Sequence, residues 1–142
     1  MLLNICAVLV GLIVGMAFNM ALVVLNTILY PMPEGVGFDD PEAMEIYFSD
    51  LPFMAFLIVL IAHVGQAFLG GLVAALVSSK AAMSCAMIVG SISLILGILN
   101  MMSMPLPAWM MIEFPLYLIA AYVAAKLVLS RRVASATERV GL

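Results

Sequence analysis

The stretch that decides the fold is residues 51–79, LPFMAFLIVLIAHVGQAFLGGLVAALVSS, which contains no Asp, Glu, Lys or Arg. An α-helix needs about 20 mostly apolar residues to cross the hydrocarbon core of a bilayer, which is roughly 30 Å thick. Because that core offers no water to backbone N–H and C=O groups, a helix is the expected spanning structure. The stretch therefore predicts a transmembrane helix over residues 53–77.

Three further runs in the chain also lack Asp, Glu, Lys and Arg, and they are residues 1–33, 81–112 and 114–125. Together with the first stretch, they predict an all-α membrane protein with four transmembrane helices. We expect one domain over residues 1–142, because no other segment is long enough to form a second. The four predicted spans are residues 1–30, 53–77, 83–104 and 108–129.

The composition supports a membrane protein and excludes several other classes. Apolar residues make up 67% of the 142 residues and charged residues 9%, and the mean hydropathy is +1.30. Soluble globular domains average about 45–50% apolar and about 25% charged residues. A soluble enzyme, a nucleic-acid-binding protein and a disordered tail are therefore excluded, and the lipid bilayer is the expected partner.

The basic residues predict the orientation of the four spans. Lys80 follows the second span, and the other four lie in the last turn of the fourth span or after it, whereas the loop over residues 31–52 holds six of the eight acidic residues and no basic one. Lys and Arg favour the cytoplasmic side of a membrane. We therefore expect both termini and the 130–142 tail in the cytoplasm and the acidic loop outside, in a bacterial inner (plasma) membrane.

The acidic loop contains the pattern of a short helix. Asp39 or Asp40 is a candidate N-cap, and Pro41 suits the first helical position. Helical spacing then places four apolar or aromatic side chains on one face: Met44, Tyr47, Phe48 and Leu51. This pattern predicts a short amphipathic helix on the outer interface.

The ends of the first and third spans share the pattern L-N-x4-P-x-P, over residues 25–33 and 99–107. The shared pattern predicts two tandem, similar hairpins, related by an axis along the membrane normal. The alternative is two hairpins that independently use proline to end a helix at the aqueous rim.

Six polar residues inside the predicted spans are candidate site residues. Asn26 and Asn100 each precede a proline by five residues, at a depth of about 7.5 Å, and Glu113 follows Pro107 at about 9 Å. These three side chains predict one polar layer in the outer leaflet. By the same rise per residue, Asn19 and His63 lie near the middle of the bilayer. Gln66 shares a helix face with His63.

Two interpretations of this polar set stay open. In the first, the side chains are interhelical hydrogen-bond partners. In the second, they line a path for a proton or solute, because ionisable residues inside a membrane are functional candidates. Glu113 is the only acidic residue within a span. It is either the titrating group of such a path or an interfacial carboxylate at the start of the fourth span.

Glycines lie on the same helical stripes as these polar residues. Gly11 and Gly15 form a G-x-x-x-G motif, which allows helix backbones to approach closely. Gly70 shares a stripe with His63 and Gln66, and Gly90 and Gly97 precede Asn100 on the third span. We expect these five glycines to lie at helix–helix contacts.

The sequence carries no phosphate-binding loop and no convergent catalytic set, and its single His makes a metal-ligand cluster unexpected. We therefore predict no cofactor, no metal and no nucleic-acid partner. The expected function is that of a non-enzymatic integral membrane protein, which acts as a homo-oligomer or as a small subunit of a larger membrane complex. The alternative is a small proton-coupled transporter or channel that uses Glu113 and the polar layer.

Overall fold

The computed structural model describes residues 1–35, 37 and 40–140, apart from the side chains of residues 136, 139 and 140. In this part of the chain the protein is all-helical, with no strand. Its α-helices are α1 (Leu2–Leu29), α2 (Pro41–Asp50), α3 (Phe53–Val77), α4 (Ala82–Ser103) and α5 (Glu113–Val140), and a 3₁₀ turn over Ala108–Ile112 precedes α5.

Four helical segments are long and apolar enough to span a membrane. They are α1, α3, α4 and the segment Ala108–Ser135, which correspond to the four predicted spans. The protein is thus a helical protein with the composition and helix lengths of an integral membrane protein.

The fourth segment differs from its predicted bounds at both ends. Its first five residues form a 3₁₀ turn, so the α-helix begins at Glu113. Pro115 then lies in the first turn, where a missing N–H interrupts no hydrogen bond. The helix continues to Val140, well beyond residue 129, because this stretch contains neither Gly nor Pro and is rich in Ala and Arg, which favour helices.

The acidic loop contains the short helix α2. Asp40 is its N-cap and accepts a hydrogen bond of 3.0 Å from the backbone N–H of Ala43, whereas the alternative cap, Asp39, lies outside the described residues. Met44 is buried, and the hydroxyl of Tyr47 donates to the carbonyl of Tyr30 over 2.9 Å. Burial raises the pKa of the Tyr47 phenol. These contacts attach α2 to the end of the bundle.

Helix α3 is central, since it packs against α1, α4 and α5. Helix α1 packs mainly on α3 and only slightly on α4. A two-fold axis along the membrane normal would exchange α1 with α4 and α3 with α5, so the α3–α4 contact would require an equivalent α5–α1 contact. Among the described residues, no packing of comparable extent joins α5 to α1. The packing is therefore not two-fold symmetric, and the duplication stays a prediction.

The end of the bundle that carries Lys80, Arg131 and Arg132, called the basic end below, has a core of small side chains. One buried cluster joins α3, α4 and α5 through four alanines and a valine: Ala75, Ala82, Ala86, Ala125 and Val128. A second joins α1, α3 and α4: Ala7, Ala74, Cys85 and Val89. Small side chains bring helix backbones close together, which is how helices associate where burial from water supplies no driving force.

A close crossing joins α1 to α3 through glycines. A Cβ atom on Gly11 would lie 2.5 Å from the carbonyl oxygen of Gly70, and one on Gly70 would lie 2.8 Å from the carbonyl oxygen of Gly11. One turn along, a Cβ on Gly15 would lie 2.5 Å from the carbonyl oxygen of Gln66. Backbone therefore contacts backbone along this crossing, and no larger residue fits without moving a helix.

Candidate functional site

The only ion-pair contact among the described residues lies inside the bundle. Nδ1 of His63 on α3 is 2.8 Å from Oε2 of Glu113, the first residue of α5. The Glu113 side chain is fully buried and the His63 residue is 8% exposed. A hydrogen bond of this length requires a proton between the two atoms, so the pair holds at least one proton away from the surface.

Tyr117 lies beside the pair. Its ring stacks near the His63 ring, with the centroids 6.3 Å apart, and its hydroxyl donates to Oε1 of Glu113 over 3.4 Å, a long contact. Gly97 on α4 makes this position possible, because a Cβ there would collide with the Tyr117 hydroxyl. Tyr117 thus contacts both members of the His63–Glu113 pair.

A second polar chain crosses the bundle one turn along α3. Asn19 Nδ2 on α1 donates to Oε1 of Gln66 over 2.6 Å. Gln66 Nε2 in turn points to Oγ of Ser93 on α4, at 3.5 Å. All three residues are buried. They connect three helices by side-chain contacts, as polar residues between membrane helices commonly do.

A cavity of about 300 Å³ opens between α1 and α4 beside these groups, and it is called the polar cleft below. Its base is formed by α3 and α5, and its walls by α1 and α4. The lining residues are Met16, Asn19, Met20, Val23, His63, Gln66, Ser93, Leu96, Gly97, Asn100 and Tyr117.

The mouth of the polar cleft is lateral. Met16, Met20 and Leu96 line it and are exposed on the sides of α1 and α4, which are the sides that lipid tails cover in a membrane. The sparse α1–α4 contact explains why the cleft exists, because these helices are held together mainly through α3.

The arrangement places His63 between the polar cleft and Glu113. His63 lines the cleft, whereas Glu113 does not. Histidine is a common proton shuttle in proteins, and the Glu113 carboxylate is the direct hydrogen-bond partner of the His63 ring. The geometry therefore suits the exchange of a proton between the cleft and a buried carboxylate.

The six sequence-predicted site residues divide into groups in the structure. His63 and Glu113 form one contact, Asn19 and Gln66 form another, and Asn100 lines the cleft. Asn26 does not line the cleft, and its Oδ1 atom is buried without a hydrogen-bond partner among the described residues.

The predicted outer layer of Asn26, Asn100 and Glu113 does not describe these contacts, because Glu113 contacts His63, which the sequence places deeper. The 3₁₀ turn before Glu113 contributes to this difference. A 3₁₀ helix rises about 2.0 Å per residue rather than 1.5 Å, which carries Glu113 further from the rim at Pro107.

Sequence reasoning did not assign a site role to Ser93 or Tyr117. A signal was available for Tyr117, since it follows Glu113 by four residues and such pairs meet on one helix face. Ser93 shares the glycine stripe of α4, and hydroxyls on such stripes commonly form interhelical bonds.

In the sequence, Arg132 served only to predict the orientation of the spans, but in the structure it caps the C-terminal end of α3. Its guanidinium donates to the carbonyl oxygens of Ala75 at 2.9 Å, Leu76 at 3.0 Å and Ser78 at 3.0 Å. These carbonyls belong to the last turn of α3, which has no intrahelical donors of its own. The basic side chain also suits the negative end of the helix dipole.

No group of three His, Cys, Asp or Glu side chains suited to a metal ion occurs in the described part of the chain. In comparisons with known proteins, no protein-family model, curated protein or solved structure matches this chain.

Proposed function

We propose that this chain is a non-enzymatic integral membrane protein that works as a homo-oligomer or as a small subunit of a larger membrane complex. The observation that carries the proposal is the lateral mouth of the polar cleft. Amides, hydroxyls and an imidazole line the cleft, and polar groups exposed to hydrocarbon are costly unless they find partners. A neighbouring helix over the mouth would remove that exposure.

The exposure of α1 supports the same proposal. Within its most apolar window, 17% of the residues of α1 are buried inside the chain, against 39% for each of the other three spans. Lipid alone can cover apolar side chains, but α1 also carries Asn19 and borders the cleft. A neighbouring protein helix would therefore bury the most exposed surface by packing against α1.

The first test is native mass spectrometry of the gently extracted protein. A homomer of defined size, or a constant larger companion, is the expected result. A bare monomer under all mild conditions would contradict the proposal, because the polar cleft would then face lipid or water permanently.

A pair of single-cysteine variants tests the position of the interface. Met20→Cys places a thiol at the cleft mouth, and Ile119→Cys is the matched control on α5, at similar depth and with similar exposure, 54% against 50%. Both variants are made with Cys6 and Cys85 replaced by Ala. We expect disulfide-linked dimers for Met20→Cys only; equal cross-linking at both positions would indicate random collision.

A second candidate function is favoured by a separate observation, the buried His63–Glu113 contact. In this proposal the protein is a small proton-coupled transporter or channel, with Glu113 as the titrating group and with His63, Gln66, Asn19 and Asn100 along the polar cleft. Asn26, predicted as part of the path, lies outside the cleft lining. Since one chain encloses the cleft incompletely, the path would be completed by a neighbouring chain.

Proton flux into liposomes tests this second candidate without knowledge of a solute. The protein is reconstituted with a trapped pH-sensitive dye, and a potassium diffusion potential with valinomycin drives proton entry. Transport predicts flux that Glu113→Gln abolishes and that Asn26→Ala, the control outside the cleft, preserves. Flux equal to that of empty liposomes for the wild-type chain would refute this candidate and leave the assembly proposal untouched.

For the orientation we propose a bacterial inner membrane with both termini in the cytoplasm. The basis is the positive-inside rule together with the shared position of the basic residues, since Arg132 bonds to carbonyls beside Lys80. Labelling of a single introduced cysteine by an impermeant reagent tests it. A cysteine at Ser49, in α2, should react in intact cells, and one at Ser135 should not.

A further inference from the structure

A second large cavity lies between α3 and α5 and extends to the basic end, and its lining residues differ from those of the polar cleft. It has a volume of about 530 Å³ and is called the basal groove below. Its walls are apolar and include Phe68, Leu72 and Leu76 from α3 and Leu127 from α5. Two basic residues, Arg131 and Arg132, also line it.

The positive charge at this end lacks a carboxylate partner within the described residues. Arg132 donates its hydrogen bonds to backbone carbonyls, and Arg131 forms neither a hydrogen bond nor an ion pair there. Glu138 is the nearest acidic residue along α5. It lies seven residues beyond Arg131, about 10 Å along the helix, and does not line the groove.

The shape and charge of the basal groove match one class of molecule. An anionic phospholipid carries a phosphate group at one end and apolar acyl chains at the other. The groove likewise combines two arginines with an apolar channel that leads away from them. Guanidinium groups bind phosphate through paired, charge-assisted hydrogen bonds. Basic pockets between membrane helices near the cytoplasmic interface bind such headgroups.

We propose that an anionic phospholipid binds in the basal groove, with its phosphate at Arg131 and Arg132 and one acyl chain along Phe68, Leu72 and Leu76. Arg131 supplies the free donors, whereas Arg132 contributes its charge and keeps its bonds to the end of α3. The bound lipid would connect α3 to α5 on the side of the bundle that faces the bilayer. This site is independent of whether the chain assembles or conducts protons.

The test uses the full chain in detergent and native mass spectrometry with added lipid. Phosphatidylglycerol is compared with phosphatidylcholine of the same acyl chains. Arg131→Gln is the principal variant, and Lys126→Gln is the matched control, because it removes the same charge from the same helix at a position outside the groove. A basic side chain near the membrane surface contributes about 1 kcal/mol to anionic-lipid binding, which is about a fivefold change in affinity.

We expect wild-type protein to retain phosphatidylglycerol over phosphatidylcholine and Arg131→Gln to lose about fivefold in affinity, with Lys126→Gln near wild type. A further variant, Leu76→Trp, fills the apolar channel while keeping both arginines. It should lower the affinity as well, since Leu76 is exposed within the groove and a larger ring there requires no change in the core.

Three results would overturn the proposal. Equal losses for Arg131→Gln and Lys126→Gln would show a diffuse basic surface without a site. Equal retention of the two lipids would show that the groove binds acyl chains without recognising the phosphate. Displacement of phosphatidylglycerol by millimolar glycerol phosphate would show a site for a soluble phosphate ester, in which the apolar channel plays no part.

Discussion

The two halves of this bundle are packed by different chemistry. Towards the basic end, helices meet through alanine and glycine, and backbones touch at the Gly11–Gly70 crossing. Towards the acidic loop, the same helices meet through His63, Glu113 and a chain of amides, and α1 and α4 separate around the polar cleft.

The comparison shows that a small difference in side-chain volume decides whether two helices pack closely or separate around a cleft. Alanine and glycine allow close approach, and dispersion contacts then hold the helices. Larger polar side chains keep helices apart, and each polar atom then needs a partner or water. The small-residue half therefore holds its helices in close contact, and the polar half contains the cleft and the buried hydrogen-bonded side chains.

The largest expected effect concerns the His63–Glu113 pair. Removing one member of a buried pair costs about 3–5 kcal/mol, because the other is left without its partner. We expect His63→Leu to lower the free energy of unfolding by about that amount, measured by SDS titration in mixed micelles. The double variant His63→Leu/Glu113→Leu should recover much of the loss, since it removes the unpaired carboxylate. Additive losses would show that the two residues do not interact.

The next effect tests the close-packed half. Gly11→Ala should lower the free energy of unfolding by about 1–3 kcal/mol, because the new Cβ meets a backbone carbonyl that cannot move alone. Gly65→Ala is the control. Its Cβ meets the ring of Phe18, which is partly exposed and can turn away. Equal losses in the two variants would show that backbone contact is not the determinant.

An effect of comparable size is expected at the end of α3. Arg132→Gln removes charged donors from the last carbonyls of this helix, and we expect a loss of about 1.5–3 kcal/mol in the free energy of unfolding. Arg131→Gln is the control in the same titration without added lipid, and it should change the value by less than about 0.5 kcal/mol. A larger loss for Arg131→Gln would contradict the assignment of the cap to Arg132.

The smallest effect compares two asparagines on α1. Asn19→Ala removes the donor to Gln66, and interhelical bonds of this kind contribute about 0.6–2 kcal/mol. Asn26→Ala removes a side chain whose buried oxygen has no partner among the described residues, so we expect little loss or a slight gain in thermal stability. A greater loss for Asn26→Ala would point to a partner for that oxygen supplied by another molecule.

The sequence determined the helical class and the number and approximate bounds of the four apolar segments. Charge-free runs of this length have one stable form in hydrocarbon, because each backbone group must pair within its own segment. The first residue of α2, Pro41, was also predictable, and its N-cap was narrowed to Asp39 or Asp40, since both positions act within a single turn. The start of α5 was less predictable. The apolar stretch Ala108–Ile112 has the pattern of a transmembrane α-helix, although it adopts a 3₁₀ turn.

Only the tertiary structure decided which polar side chains meet. Position along a helix gives depth, but the rotation and neighbours of each helix depend on contacts between residues far apart in the chain. The sequence grouped Glu113 with Asn26 and Asn100, whereas folding joins it to His63, fifty residues away. It also leaves α1 and α4 apart and brings Arg132 to the end of α3. Consecutive residues determine where each helix begins and ends. The contacts between side chains in a site depend on how all the helices pack together.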